Sequence, residues 1–217
     1  MKKLLTLILT LILTTALLTV GANATWGDDA QNKYVKECEM ITRGDTYEHI
    51  MRATANDGKD FAPDSKVSRA WACRAAAYIA LGKEAADALP KVDCFEDVFA
   101  TNSNAGYINW CKEQGIISGY GNGKFSPSTY VSRDAALKIM LGALGYKAAE
   151  QGYNKANGWR WEVLTDAQTA GLTEGLTIDN VVEIHRDEFC KLVVNALTVN
   201  AVSGQPLYKT SFPDLLG

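Results

Sequence analysis

Three arginines stand directly behind a helix-capping position: Arg69 after Ser68, Arg133 after Ser132 and Arg186 after His185. A cation in the first turn of a helix opposes the helix dipole at a cost of about 0.3–1 kcal/mol. Something must offset that cost, and a carboxylate is one candidate. A guanidinium fork holds a carboxylate through two parallel charge-assisted hydrogen bonds, worth about 1.5–3 kcal/mol per charged contact. Two sources of that carboxylate fit the residues alone, a bound ligand or an internal acid such as Asp97 or Asp134. The run Gly119-Tyr120-Gly121-Asn122-Gly123 adds backbone N–H groups that an anion can approach closely, because glycine carries no side chain. Other chemistries find little support. There is no G-x-S-x-G, H-E-x-x-H or C-x-x-C, and His49 and His185 lie far apart, so no metal, cofactor or catalytic centre is expected. A glycosidase pair needs only two carboxylates that meet in space, and with 25 acidic residues hydrolysis of a wall polysaccharide stays as a lesser alternative.

These arginines belong to a repeat. Phe61-Ala-Pro63, then Val67-Ser68-Arg69, returns as Phe125-Ser-Pro127, then Val131-Ser132-Arg133, each copy preceded by a glycine-rich turn ending in Gly-Lys. A weaker third copy is Ile184-His185-Arg186-Asp187-Glu188. Ser68 and Ser132 are good N-caps, and the preceding valine is placed to staple the chain entry. Apolar residues then follow at helical spacing: Ala72, Cys73, Ala76 and Ala80; Ala136, Leu137, Met140 and Leu144; Phe189, Cys190, Val193 and Leu197. Gly82 and Gly145 read as helix stops. Shorter helices are predicted over Tyr107–Gln114 and Trp161–Ala170, each ended by glycine, with a further one somewhere in Tyr34–Met51. Such short pairs cannot bury an apolar face alone, so the three units are expected to pack into one mainly α body. The first unit spans 25–90, the second 91–148 and the third 149–203, with a tail at 204–217.

Phe95-Glu96-Asp97-Val98, the segment Gly115-Ile-Ile-Ser-Gly-Tyr-Gly-Asn-Gly-Lys-Phe-Ser-Pro127, and Val131-Ser132-Arg133-Asp134 together resemble an S-layer homology domain. That family is marked by F-x-D-V, by a GI-x-x-GY-x-x-G-x-F-x-P loop and by a helix start that most often reads Thr-Arg-Ala-Glu. The resemblance is full in the second unit and partial in the other two. It implies three repeats arranged as a pseudo-threefold, three-pronged spindle around a central helical bundle, and a non-catalytic role in anchoring exported proteins to the bacterial wall. The implied partner is secondary cell-wall polysaccharide attached to peptidoglycan, commonly pyruvylated. The ligand-contacting positions it implies here are Arg69, Arg133, Arg186, Asp97, Gly119, Tyr120, Gly121 and Gly123. This chain departs from the family at the cap: Trp71 and Ala135 replace the motif glutamate, whereas the third unit keeps Glu188 and has His185 in place of the hydroxyl. Each capping box is therefore half complete, a loss of about 1 kcal/mol per helix start.

At the N-terminus, Lys2 and Lys3 precede an apolar run and Ala22-Asn23-Ala24, a pattern that predicts a signal peptide over 1–24, cleavage after Ala24 and export. The formal charge is −3, more negative once Lys2 and Lys3 leave, and no basic block is present, which argues against a nucleic-acid partner. Five cysteines in an exported chain allow at most two internal disulfides, and Cys73 and Cys190 read as small buried apolar residues on helix stripes. A surface-layer protein-interaction module is the main alternative to glycan anchoring, since a groove lined by Arg and Tyr suits either partner. Phe212-Pro213-Asp214-Leu215 resembles the F-x-D-V start of another unit.

Overall fold

The computed structural model describes residue 26 and residues 31–42, 50–51, 60–177 and 183–211. The expected leader, His49, the turn at 56–59 and the segment 212–215 lie outside the described residues. The described chain is mainly helical, as expected: α1 Val35–Thr42, α2 Arg69–Leu81, α3 Lys83–Asp87, α4 Ala105–Glu113, α5 Arg133–Ala143, α6 Trp159–Thr169, α7 Arg186–Thr198 and α8 Leu207–Ser211.

Local chemistry explains the three long helices. Ser68 accepts a hydrogen bond from the Trp71 N–H at 3.3 Å and Ser132 from the Ala135 N–H at 3.2 Å. His185 makes no side-chain cap, yet its backbone (φ −77°, ψ 159°) matches Ser68 (−78°, 157°) and Ser132 (−71°, 156°). The missing hydroxyl is replaced locally, because the Asp187 carboxylate takes the Glu188 N–H at 2.7 Å. The start of α7 is further fixed by the Arg186 N–H, which donates to the Pro63 and Ser65 carbonyls. The short helices α4 and α6 end where glycine predicts. Gly115 and Gly171 take positive φ, and the next N–H turns back to Cys111 O (2.9 Å) and Ala167 O (2.8 Å).

The residues before the caps do more than staple their own helices. Val67 N–H donates to Ile184 O (3.3 Å), Ile184 N–H to Val131 O (3.2 Å) and Val131 N–H to Val67 O (2.8 Å), a closed ring of backbone hydrogen bonds. All three side chains are buried, so the ring sits on apolar packing. Ala62 and Ser126, the central residues of the two Phe-x-Pro turns, are the non-glycine residues with positive φ among those described, at 56° and 58°. The two turns thus share one unusual backbone shape, and their Phe61 and Phe125 rings are fully buried.

Packing then follows an exchange. The long helices α2, α5 and α7 contact one another, and each carries a short helix: α4 on α2, α6 on α5 and α1 on α7. In sequence terms, a long helix receives the short helix of the following unit, and the last long helix receives the first short one. Burial of Cys38, Ile41, Ile79, Ile108, Met140, Val163, Phe189 and Val193 makes one continuous core across these contacts.

Candidate functional site

The second glycine loop is shaped by carboxylate and ring contacts. Asp97 accepts from the Phe125 N–H at 2.8 Å and the Ser126 N–H at 2.7 Å, which holds the positive-φ turn in place. Burial raises the Asp97 carboxyl, but these N–H donors outweigh it and leave the group below its ordinary value of 3.8. A carboxylate with a lowered folded pKa contributes stability that is present above 3.8 and is lost as pH falls through the folded value. Asp97→Ala is expected to cost about 1–2 kcal/mol, discounted for solvent around the carboxylate. Denaturant melts at neutral pH measure the cost, and the variant should also lose part of the wild type's acid sensitivity below about pH 4, the remainder resting on groups such as Asp87, whose carboxyl is likewise lowered.

The ring of Phe95 stacks on Phe125 at 5.3 Å between centroids, and the Tyr120 N–H donates to Lys124 O at 2.9 Å. At Gly123, with φ +78°, an added Cβ would lie 2.5 Å from the Glu96 carboxylate; at Gly119 it would lie 2.8 Å from Lys124 O. Gly121 has φ +83° and open space around it.

Arg69 reaches this loop from the start of α2. Its Nε donates to Phe125 O at 3.0 Å and its Nη2 to Ser118 O at 3.2 Å. The guanidinium lies 4.7 Å from the centre of the Tyr120 ring and 4.4 Å from that of Phe125. Two carbonyls and two rings therefore fix the fork, with Nη1 engaged in neither carbonyl bond.

Facing it are Lys138 on α5 and Trp159 at the opening of α6. Arg69, Ser118, Gly119, Tyr120, Lys138 and Trp159, with the turn Tyr153-Asn154-Lys155, line an open groove of about 410 Å³. Lys138 Nζ donates to Tyr153 O at 3.0 Å and Asn154 Oδ1 at 3.3 Å. Burial lowers the Lys138 pKa, and the nearby positive charge of Arg69 lowers it further. Among the described residues neither Arg69 nor Lys138 is paired with a carboxylate. Of the three cations on this groove, Lys155 pairs with Glu162 at 3.1 Å, whereas Arg69 and Lys138 have no carboxylate partner among the described residues, which suits an anion.

The other two arginines are placed differently. Arg133 is 3% exposed, and its Nη2 meets both carboxylate oxygens of Glu188 at 2.9 Å. This is the internal ion pair that the sequence left open, with Glu188 as the partner in place of Asp97 or Asp134. Arg186 is 6% exposed; its Nε donates to Phe61 O at 3.1 Å and its guanidinium lies 4.6 Å from the Phe61 ring centre. Arg186 thus repeats the Arg69–Phe125 contact in a buried setting. Of the eight expected residues, Arg69, Gly119 and Tyr120 line the groove. Asp97, Gly121 and Gly123 shape its loop, and Arg133 and Arg186 lie in the interior.

Lys138 was missed, although a signal for it exists. Five residues beyond each helix-opening arginine the chain places another cation: Arg74, Lys138 and Lys191. Their surroundings separate them. Arg74 is buried and donates to the Tyr78 and Tyr107 hydroxyls at 2.9 and 3.1 Å. Lys191 pairs with Glu37 at 3.2 Å. Lys138 alone of the three turns to the groove. Trp159 is half-buried at the groove wall, whereas Trp161, less than one turn away, is 74% exposed. Trp161 does not line the groove.

Among the described residues no group of His, Cys, Asp and Glu is arranged to hold a metal, and no helix is long and apolar enough to cross a membrane. Residues 95–137 match the S-layer homology domain family. That span contains Asp97, the glycine loop and Arg133, but neither Arg69 nor Lys138. The chain is 32% identical over 108 residues to a cell surface protein of Thermoanaerobacter kivui, a match covering 50% of this chain and 13% of that protein. It is 26% identical over 106 residues to the middle cell wall protein of Brevibacillus brevis, covering 49% of this chain and 10% of that one. The chain therefore matches only a small part of the length of either relative.

Proposed function

We propose that this chain is an exported, non-catalytic cell-wall anchoring module of three S-layer-homology repeats, at 25–90, 91–148 and 149–203, that binds anionic secondary cell-wall polysaccharide. The pyruvylated ligand, the pseudo-threefold spindle and the leader at 1–24 are parts of the same proposal. The S-layer homology match over 95–137 and the cell-surface and cell-wall names of the two relatives support the anchoring role. The observation that carries the ligand class is the groove itself: Arg69 and Lys138 share it, and no carboxylate among the described residues neutralises either.

An acidic sugar substituent entering there meets a guanidinium already oriented by Phe125 O and Ser118 O and an ammonium held by Tyr153 O and Asn154 Oδ1. Little ordering is left for the ligand to impose. The exposed Tyr120 ring and the half-buried Trp159 ring supply apolar walls for a pyranose face. Each contact is modest, but a repetitive polymer re-engages nearby copies of the module and gains avidity.

Cosedimentation with wall sacculi, before and after removal of the secondary polymer, tests the reading. Pelleting that disappears with the polymer supports it; pelleting that survives stripping, or pelleting only with purified surface proteins, overturns it. The pH dependence is a sharper check. Binding needs the ammonium of Lys138, whose folded pKa lies below the ordinary 10.5. Affinity is therefore expected to fall as pH rises through that lowered value, before exposed lysines discharge, and Lys138→Gln should weaken binding and flatten the pH profile.

A further inference from the structure

Four of the five cysteines occupy two helix–helix contacts of one kind. Cys73 and Cys190 stand at the same place, four residues beyond the arginines that open α2 and α7. Cys111 lies on α4, which packs on α2, and Cys38 lies on α1, which packs on α7. The Cys111 thiol donates to the carbonyl oxygen of Cys73 at 3.6 Å, which sets the two residues side by side at the contact of α4 with α2; both are free thiols in this structure. Cys38 and Cys190 lie near each other where α1 packs on α7, and the Cys38 thiol donates to Asn32 Oδ1 at 3.7 Å. All four side chains are fully buried.

The remaining pair of helices is the control that the sequence itself provides. Leu137 holds the corresponding position on α5, and neither α5 nor its partner α6 contains a cysteine. A small buried apolar residue would serve either helix independently of what faces it. Here cysteine occurs on both members of a helix pair or on neither, which is the pattern of a joint role.

We propose that Cys73–Cys111 and Cys38–Cys190 are two disulfide-forming pairs, each tying a short outer helix to the long helix on which it packs. The inference does not depend on which polymer the groove takes. A low-molecular-weight disulfide, such as oxidised glutathione, is the oxidant. One cysteine thiolate attacks a sulfur of the oxidant and expels a thiolate; the second cysteine thiolate then attacks the mixed disulfide and expels the other. Two protein thiols lose two protons and two electrons, and the oxidant leaves as two thiols. Burial pushes the thiols of Cys111 and Cys190 well above their ordinary range, so thiolates form before the short helices dock and the finished bonds are shielded from reductant. Cys38–Cys190 joins the first short helix to the last long one, the kind of long closure that most restricts an unfolded chain.

Cys94 is the competitor, since it also lies near Cys73. The test refolds the full chain in a glutathione redox buffer, quenches it with acid, alkylates free thiols in denaturant and maps unreduced peptides by mass spectrometry. The expected map has Cys73 linked to Cys111, Cys38 linked to Cys190, and Cys94 alkylated, and Cys94→Ser leaves both links intact. Reduction of the wild type should lower its melting temperature by on the order of 10 °C. A link through Cys94 to either Cys73 or Cys111 overturns the first pair, alkylation of Cys38 and Cys190 after denaturing the oxidised protein overturns the second, and five alkylated thiols overturn both.

Discussion

Arg133→Ala is expected to destabilise the fold by about 3–5 kcal/mol, the largest effect of any single substitution considered for this chain. The arginine and its partner are both interior: the side chains of Arg133 and Glu188 are 4% and 11% exposed, and one guanidinium nitrogen meets both carboxylate oxygens. Truncation leaves the Glu188 charge in a site from which water is excluded, and the cost of that stranded charge exceeds the value of the pair itself. Chemical denaturation monitored by circular dichroism gives the number. A paired replacement, Arg133→Met with Glu188→Leu, removes both charges and is expected to recover most of the loss. That recovery separates an ion pair from a ligand contact. If Arg133 instead held a polymer carboxylate, the double variant would fold and fail to bind. With the ligand held by Arg69 and Lys138, the double variant folds and binds as the wild type does.

Arg69→Ala is expected to reduce affinity for wall polysaccharide by roughly 10- to 100-fold, the loss of one charge-assisted contact to a carboxylate. Its energetic setting differs from that of Arg133, because it is half-buried at a groove and is fixed by carbonyls and rings, with no carboxylate partner among the described residues. Arg69→Lys keeps the charge but loses the fork that bonds Phe125 O and Ser118 O together, so it should recover only part of the affinity. A stability measurement must accompany the binding assay, since Arg69 also braces the loop. Lys138→Gln provides the independent check from the other wall. Affinity unchanged in both Arg69→Ala and Lys138→Gln would remove the groove as the binding site.

The two arginines show how equal motifs acquire unequal roles. Each follows a capping serine and a buried valine, and each opens a long helix. The difference lies in what the neighbouring unit brings. Arg69 meets a complete glycine loop with an aromatic residue on either side. Arg133 meets Glu188, the motif glutamate that only the third helix start retains. The expected half of a capping box, Glu188, is therefore spent on a neighbouring helix, and Asp187 satisfies the Glu188 N–H in its own turn.

Much of the local architecture was open to inspection in the residues. The caps at Ser68 and Ser132, the glycine stops of the short helices and the shared Phe-x-Pro turns all depend on interactions within a few residues, so their types and spacing were enough. The S-layer homology resemblance in the second unit was legible for the same reason, as its loop is held by the nearby Asp97. Which short helix packs on which long one was decided only in three dimensions. An apolar stripe states that a face must be buried and is silent about the face that covers it, so the exchange of α4 onto α2, α6 onto α5 and α1 onto α7 has no local signature. That exchange brings Lys138 opposite Arg69, gives Glu188 to Arg133, and sets Cys111 against Cys73. Charge and polarity in the sequence named the groups, and the packing of distant helices selected their partners, because burial and electrostatic pairing are properties of neighbours in space.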